Sequence, residues 1–453
     1  MAKFNHRSSF AEYLDTGEYL CQGEIMRFLV SLLVVAIYLS VVVPATYGQT
    51  YGVELHNTLM PASSGMAGTS FSQPQDLQSA IYGNPATLTQ FKGTQAAFGG
   101  AWAEPTININ QATDAPLVGV SQYDGKSQAP GSLLGNIGVA FDATAMGRPI
   151  KLAVGFMSNA GLGVDFRHLP ESNGSNTSLL ALDLVVAAAM QVNDQLSAGA
   201  TFYLGTGVLN APLVDISTTT LNYAGRGAVG MNYDLGSGIT FGAYWQSKKA
   251  HQFNDLVRVG GAFQDLDLEL PANTGIGIAN NCLMNGRLLL ASDILFKHYG
   301  NTDFFETIYR DQWVFQFGSQ FIVNPKLRLR TGYAYNTNVA RDSVPGSIGG
   351  VIPVGGIPAV QYLQAQFVNA SQHRLTGGVG IRDVMPGMDF DASVGGMFAG
   401  TDTFGNTTTT AKSYWVAFGF TWRCGAACQS GCQPASGWSN SSSMEYTAQT
   451  MQN

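Results

Sequence analysis

Charge is scarce in this chain. Asp, Glu, Lys and Arg make up 12% of its 453 residues, roughly half the ~25% usual in soluble proteins, which argues against a water-soluble enzyme of two or three domains. Long apolar runs are missing as well. After residue 48 no stretch approaches the ~20 residues a membrane-spanning helix needs, so a helical bundle is excluded. Lys and Arg total only 23 and are scattered, against 30 Asp and Glu. Nucleic-acid binding, which needs a concentrated basic surface, is not expected. Five cysteines, at 21, 282, 424, 428 and 432, make no disulfide framework. The six histidines lack zinc spacing, and no phosphate loop, dinucleotide fingerprint or nucleophile elbow is found. No enzymatic activity, metal or cofactor is therefore expected. What is plentiful is glycine, 54 residues, with 25 Phe, 18 Tyr and 6 Trp. So many aromatics demand burial or lipid, which excludes disorder as the main state. Glycine, aromatics and few charges fit a large all-β structure.

The N-terminus reads as an export signal. Met26-Arg27 precedes an apolar run, Phe28 to Val43, broken only by Ser31, Tyr38 and Ser40, and Pro44-Ala45-Thr46-Tyr47-Gly48-Gln49 follows. A basic start, an apolar core and small residues describe a secretory signal peptide over 26–48. Residues 1–25 carry Glu12, Asp15, Glu18 and Glu24, the wrong sign for the first region of a signal. They are expected to be a mis-assigned extension, with translation starting at Met26.

From residue 93 to 423 the chain alternates with period two. Trp313, Phe315, Phe317 and Phe321 fall on one face, and Gln316, Gly318 and Gln320 on the other. Tyr414, Val416, Phe418, Phe420 and Trp422 oppose Ala417, Gly419, Thr421 and Arg423. Strand side chains point alternately to opposite faces. The greasy face is therefore either the core of a soluble sandwich or the lipid face of an outer-membrane barrel. Three features favour the barrel. The second face is rich in Gly, Ala and Ser rather than Lys and Glu. Aromatics such as Trp245, Tyr299, Trp313, Tyr333 and Trp422 fall at strand ends, as interfacial girdles do. Short connections, at Asn193-Asp194, Gly236-Ser237, Asn285-Gly286 and Asn324-Pro325, alternate with long ones near 104–134, 251–271, 298–311 and 341–371. The strands begin near 94, 135, 150, 178, 196, 223, 239, 273, 287, 312, 326, 373, 388 and 412. The expectation is a fourteen-stranded antiparallel transmembrane barrel in the outer membrane.

Residues 49–92 lack the alternation. They read as an N-terminal plug, or else as a periplasmic lead-in. Residues 424–453 extend past the last strand, with Cys424, Cys428 and Cys432 but no nearby histidine, and read as a flexible tail.

These residues resemble the outer-membrane long-chain fatty acid transporter (FadL-type) family, which also includes aromatic hydrocarbon channels. The resemblance is carried by Ser64-Gly65-Met66-Ala67-Gly68 and Asn84-Pro85-Ala86 ahead of the first strand, and by Leu152 to Gly163 in the third. Gly242-Ala243-Tyr244-Trp245-Gln246-Ser247 and Arg310 to Tyr335 add to it. It implies passive uptake of hydrophobic molecules, most of all long-chain fatty acids, with outer-membrane lipid and the cargo as partners and a monomer as the working unit. It also implies a kink in the third strand at Ser158-Asn159-Ala160-Gly161, faced by Asn84-Pro85-Ala86, through which cargo leaves sideways. A general porin for hydrophilic solutes and a non-transporting surface protein are the alternatives.

Cations on the inner face could meet a cargo carboxylate, since charge-assisted bonds are strong. By parity these are Arg287 and Lys297 in the ninth strand and Arg328 and Arg330 in the eleventh. The competing reading is a ladder that pairs such cations with Asp142, Asp234, Asp293, Asp389 and Asp391.

Overall fold

The computed structural model describes residues 54, 56–145, 147–210, 220–259, 262–348, 356–367 and 371–424. The export signal, the extension before it, the tail past Cys424 and residues 211–219 after the fifth strand lie outside them.

Among the described residues fourteen strands form the wall. They are β1 (Thr94–Gln111), β2 (Ser132–Ala145), β3 (Arg148–Asp165), β4 (Asn176–Gln191), β5 (Leu196–Asn210), β6 (Thr220–Asp234) and β7 (Ile239–Gln246). They continue as β8 (Asn273–Cys282), β9 (Leu288–Lys297), β10 (Gln312–Ile322), β11 (Leu327–Asn336), β12 (His373–Met385), β13 (Met388–Phe404) and β14 (Thr407–Cys424). Each pairs antiparallel with its neighbours in chain order, and β14 returns to β1 from Thr94↔Cys424 to Gln111↔Thr407. Closure removes the free edges, which is what allows a sheet to stand in hydrocarbon. Short turns at one rim alternate with mostly longer connections at the other, the β13–β14 turn at Gly405-Asn406 excepted, and in such barrels the long ones face outward.

Two of the connections read as long contain strands of their own. β1 continues well past residue 104, and a short strand, Tyr123–Lys126, pairs with its outer end. Residues 249–270 form a hairpin, Lys249–Val259 with Ala262–Leu270. In both places the alternation that builds the wall continues into the outer connections. Beneath them lies an apolar cluster that includes Phe253, Leu268, Tyr299, Phe305, Tyr309 and Val360.

The two faces are as parity requires. Tyr414, Val416, Phe418 and Trp422 are 46–55% exposed, whereas Trp415 and Ala417 are wholly buried. On β10, Trp313 and Phe317 are exposed while Gln312, Gln316 and Gln320 are buried. A charge on the outer face therefore meets lipid. We expect Val416→Arg to cost about 2–4 kcal/mol, the range for a cation near the midplane of such barrels, measured by denaturant unfolding in phospholipid vesicles. A change within 0.5 kcal/mol would place that face in water.

Inside the wall lies the N-terminal segment. It consists of the 3-10 turns His56–Leu59 and Ser63–Met66, a short helix Leu77–Tyr82, and a third turn Pro85–Gln90. Asp76 organises it. One carboxylate oxygen accepts the backbone N–H of Ser79, capping the helix, and the other accepts those of Ala62 and Ser63, at 2.7–2.8 Å. Such caps contribute typically ~1 kcal/mol. Glycines let the segment approach the wall. A Cβ on Gly242 would lie 1.8 Å from the Phe71 carbonyl oxygen, and one on Gly419 would lie 2.5 Å from Pro61 Cγ. Gly419 pairs with Gly99, so Pro61 sits directly under the β1–β14 seam. The Trp415 indole N–H donates to Ser64 Oγ at 2.7 Å beside it.

Candidate gate and inner charge cluster

β2 and β3 pair from Ala145↔Arg148 up to Asn136↔Met157 and then part. Ser158 ends the ladder. Its N–H donates to Asn136 Oδ1 at 3.2 Å, and its hydroxyl donates to the Gly135 carbonyl at 3.1 Å. Among the described residues, 159–164 have no ladder partner on the β2 side. Contact resumes only above, where Gln128 N–H donates to the Asp165 carbonyl at 2.8 Å and Asp165 N–H donates to Ser127 Oγ at 3.0 Å. On its other side β3 pairs with β4, but the register shifts between Ser158 and Ala160, which leaves Asn159 as the extra residue of a bulge. Bulges bend a strand and locally disrupt its pairing. The wall thus has an opening between β2 and β3, bounded below by Ser158 and above by Asp165.

The inner segment closes the opening from behind. The Tyr82 hydroxyl donates to Asn159 Oδ1, and the Tyr203 hydroxyl donates to the Tyr82 carbonyl at 2.7 Å. Arg226, on β6, holds both partners: one Nη2 donates to the Tyr82 hydroxyl at 2.7 Å and to Asn159 Oδ1 at 3.2 Å. Its Nη1 lies 2.5 Å from Glu54 Oε1. Asp183, on β4, is 3.9 Å from Arg226 Nη2 and 2.5 Å from Lys249 Nζ in the outer hairpin. Glu54 is held further by Asn273 Nδ2 at 2.7 Å, while Lys297 Nζ donates to its backbone carbonyl at 2.9 Å. These side chains are buried. In such surroundings each pairing is strong and each missing partner costly. One cluster therefore ties together the inner segment, the β3 bulge, β4, β6, β8, β9 and the outer hairpin. Two residues further along the hairpin, His251 is packed against Phe253. Burial first, and then the Lys249 charge, push it down to about 4, so its ring is neutral near pH 7.

The residues singled out from the sequence are placed as follows. Asn84-Pro85-Ala86 lies against β5 and β6 and does not reach Asn159. Asn84 Nδ2 donates to the carbonyls of Phe71 and Met231 at 2.7 and 2.9 Å, and Ser197 Oγ donates to the Ala86 carbonyl at 3.0 Å. The helix stops at Gly83, and the chain turns away after presenting Tyr82 to the bulge. Arg287 is not in the lumen. It stands in the β8–β9 turn over the Phe321 ring and donates to the carbonyls of Ile322 and Val323, because the alternation ends at Leu288. Lys297 belongs to the buried cluster. Arg330 is held by Asp391 at 2.7 Å and Gln320 at 2.8 Å. Arg328 lines a cavity at the short-turn rim.

The expected ladder is present in part. Asp142 pairs with Lys151, and Asp389 and Asp391 pair with Arg382. Asp293 instead accepts the backbone N–H groups of Ser70 and Phe71, and Asp234 accepts that of Gly236 in a turn. Sequence reasoning missed Glu54, Asp183, Arg226 and Lys249. The available signal was a lone charge at an inward position among apolar or small neighbours, as in Leu182-Asp183-Leu184 and Gly225-Arg226-Gly227.

A closed barrel with an apolar outer band, a filled lumen and an interrupted wall defines a class: an outer-membrane transport barrel. Over residues 41–288 the chain matches the family described as outer membrane protein transport protein (OMPP1/FadL/TodX), and it belongs to that family. Among solved structures it resembles a Pseudomonas aeruginosa FadL homologue, with TM-score 0.62, 16% identity, and 82% of this chain and 99% of that one covered. It also resembles the P. putida toluene transporter TodX, with TM-score 0.58, 16% identity and 80% and 98% coverage. The Ralstonia pickettii toluene transporter TbuX gives TM-score 0.58, 17% identity and 82% and 99% coverage. At these identities the likeness is one of fold. No curated protein matches the chain in sequence. The protein is an outer-membrane β-barrel of a transport family rather than of an enzyme family.

Proposed function

We propose that this barrel admits hydrophobic small molecules passively, long-chain fatty acids foremost, and releases them sideways into the membrane between β2 and β3. The observation that carries this reading is the parting of the two strands above Ser158, with Tyr82 seated behind the gap. The outer connections carry an apolar cluster, buried beneath them, that cargo would meet once those connections part. A sideways exit then keeps it out of water, since apolar surface gains ~25 cal/mol per Å² by staying in lipid. An open porin for hydrophilic solutes fits less well, because the N-terminal segment occupies the lumen and most of the charges beside it, such as Glu54, Asp183, Arg226 and Arg330, are paired. Toluene transporters share the fold, so monoaromatic hydrocarbons are the competing cargo.

Straightening β3 tests the route. Replacing Asn159, Ala160 and Gly161 with Val, Thr and Val favours regular pairing, because β-branched residues suit strands and glycine weakens them. In cells carrying equal amounts of heat-modifiable, folded barrel, uptake of labelled oleate is expected to fall to background. Toluene uptake in the same cells distinguishes the cargo classes. Full uptake by a variant whose β2 and β3 pair throughout would reject sideways release.

A further inference from the structure

A second feature lies at the opposite rim. Between the inner segment and the short turns is a cavity of about 710 Å³, within the ~300–1,000 Å³ typical of small-molecule sites. Its walls have an apolar part, a charged part and neutral polar residues such as Gln73, Gln90 and Gln320. Leu77 and Phe91 of the inner segment, with Leu289 of β9 and Ile322 of β10, give an apolar side. β11, β12, β13 and β14 give a charged side with Arg328, Arg382, Arg423, Asp383, Asp389 and Asp391.

The carboxylates of the charged side are all held. Asp391 lies 2.7 Å from Arg330 and 2.8 Å from Arg382; Asp389 lies 3.5 Å from Arg382 and 2.9 Å from Arg423; Asp383 lies 2.6 Å from Arg423. Asp76, which also lines the cavity, turns its oxygens to backbone N–H groups of the inner segment. Arg328 is the cation left over. It shares the inward face of β11 with Arg330, no carboxylate among the described residues pairs with it, and its buried Nε has no hydrogen-bond partner there. An arginine donates through five N–H groups and binds carboxylates in a forked geometry. Arg328 is half-buried, and holding its charge unpaired beside Arg330 and Arg382 is unfavourable unless an anion joins it.

We propose that this cavity binds an amphipathic organic carboxylate, its anion held by Arg328 and its apolar part laid against Leu77, Phe91, Leu289 and Ile322. The site does not depend on sideways release. It is read by binding to the purified full chain in detergent, so its failure leaves the uptake route standing, and a failed uptake assay leaves the site standing.

Calorimetric titration with three probes tests it: 4-phenylbutanoate, the neutral 4-phenylbutanamide, and inorganic phosphate. The native chain is expected to bind the acid at least ~10-fold more tightly than the amide or phosphate, because both the charge and the apolar part are recognised. In R328Q the preference for the acid over the amide should vanish, and R328K should keep part of it. Cys282 lines the same cavity and reports its occupancy. Alkylation there, followed by peptide mass spectrometry, should be slowed by the acid in the native chain and not in R328Q. Equal binding of acid and amide, phosphate binding as tightly as the acid, or unchanged alkylation of native Cys282 would each overturn the proposal, and none of these needs a variant to fold.

Discussion

Arg226→Met is expected to destabilise the barrel by about 3–5 kcal/mol, the usual cost of removing one partner from a buried ion pair. The reason is local. Arg226 sits 2.5 Å from Glu54, within reach of Asp183, and donates to both Tyr82 and Asn159. Without it Glu54 keeps the Asn273 amide but loses its guanidinium, and Tyr82 loses the donor that fixes its hydroxyl on the β3 bulge. Asp183 still has Lys249 at 2.5 Å, so most of the loss falls on Glu54. Adding Glu54→Gln to the same chain should therefore recover at least half of the stability, since the uncompensated charge is then gone. Denaturant unfolding of the native, single and double variants in phospholipid vesicles measures both steps. A single-variant loss below 1 kcal/mol, or a double variant no better than the single, would mean that the cluster does not hold the inner segment.

Gly242→Val should turn a closed barrel into a conducting one. At the wall itself valine is a favourable strand residue, and the harm lies wholly in what stands behind it. The new Cβ would come 1.8 Å from the Phe71 carbonyl oxygen and 2.4 Å from its carbon, both backbone atoms that cannot step aside alone. The contacts at that point must break together. Phe71 N–H leaves Asp293, to which it donates at 3.0 Å, and its carbonyl loses the Asn84 amide at 2.7 Å. Gly227→Val is the control, since a Cβ there meets only the Thr201 carbonyl at 3.9 Å. Planar-bilayer recordings should show sustained ion current for Gly242→Val and the native low level for Gly227→Val. Equal, low currents from both folded variants would show that the lumen stays shut without the segment in its place.

Periodicity explains why so much of the wall could be read from the chain. Arg328, Arg330 and Asn336 face inward and Leu329 faces outward, as their spacing demanded, because every residue of a strand must take one of two sides. The rule fails where the strand ends. Arg287 has the inward parity of Asp293 and Lys297, but it stands in a turn, where alternation means nothing. Parity also gives direction without partner. It marks Asp183 and Arg226 as inward, yet their meeting with Glu54 and Lys249 depends on four segments far apart in sequence. Tyr82 illustrates a further limit. Asn84-Pro85-Ala86 carries the recognisable pattern, while the contact with Asn159 comes from an ordinary aromatic two residues earlier, placed there by where the helix stops.

Pro61 under the β1–β14 seam has a bearing on how the molecule is made. The seam joins the first strand of the wall to the last, so it cannot zip until β14 has arrived. The prolyl ring occupies the space left by Gly99 and Gly419, and Trp415, on the closing strand, donates to Ser64 just inside. Once that join is shut, eighteen paired positions separate the segment from the outside, and the polar links at its back come from strands on every side. We expect assembly to run in one order, like a ship rigged before its bottle is sealed: the N-terminal segment laid against the open sheet, then the last strand drawn shut over it.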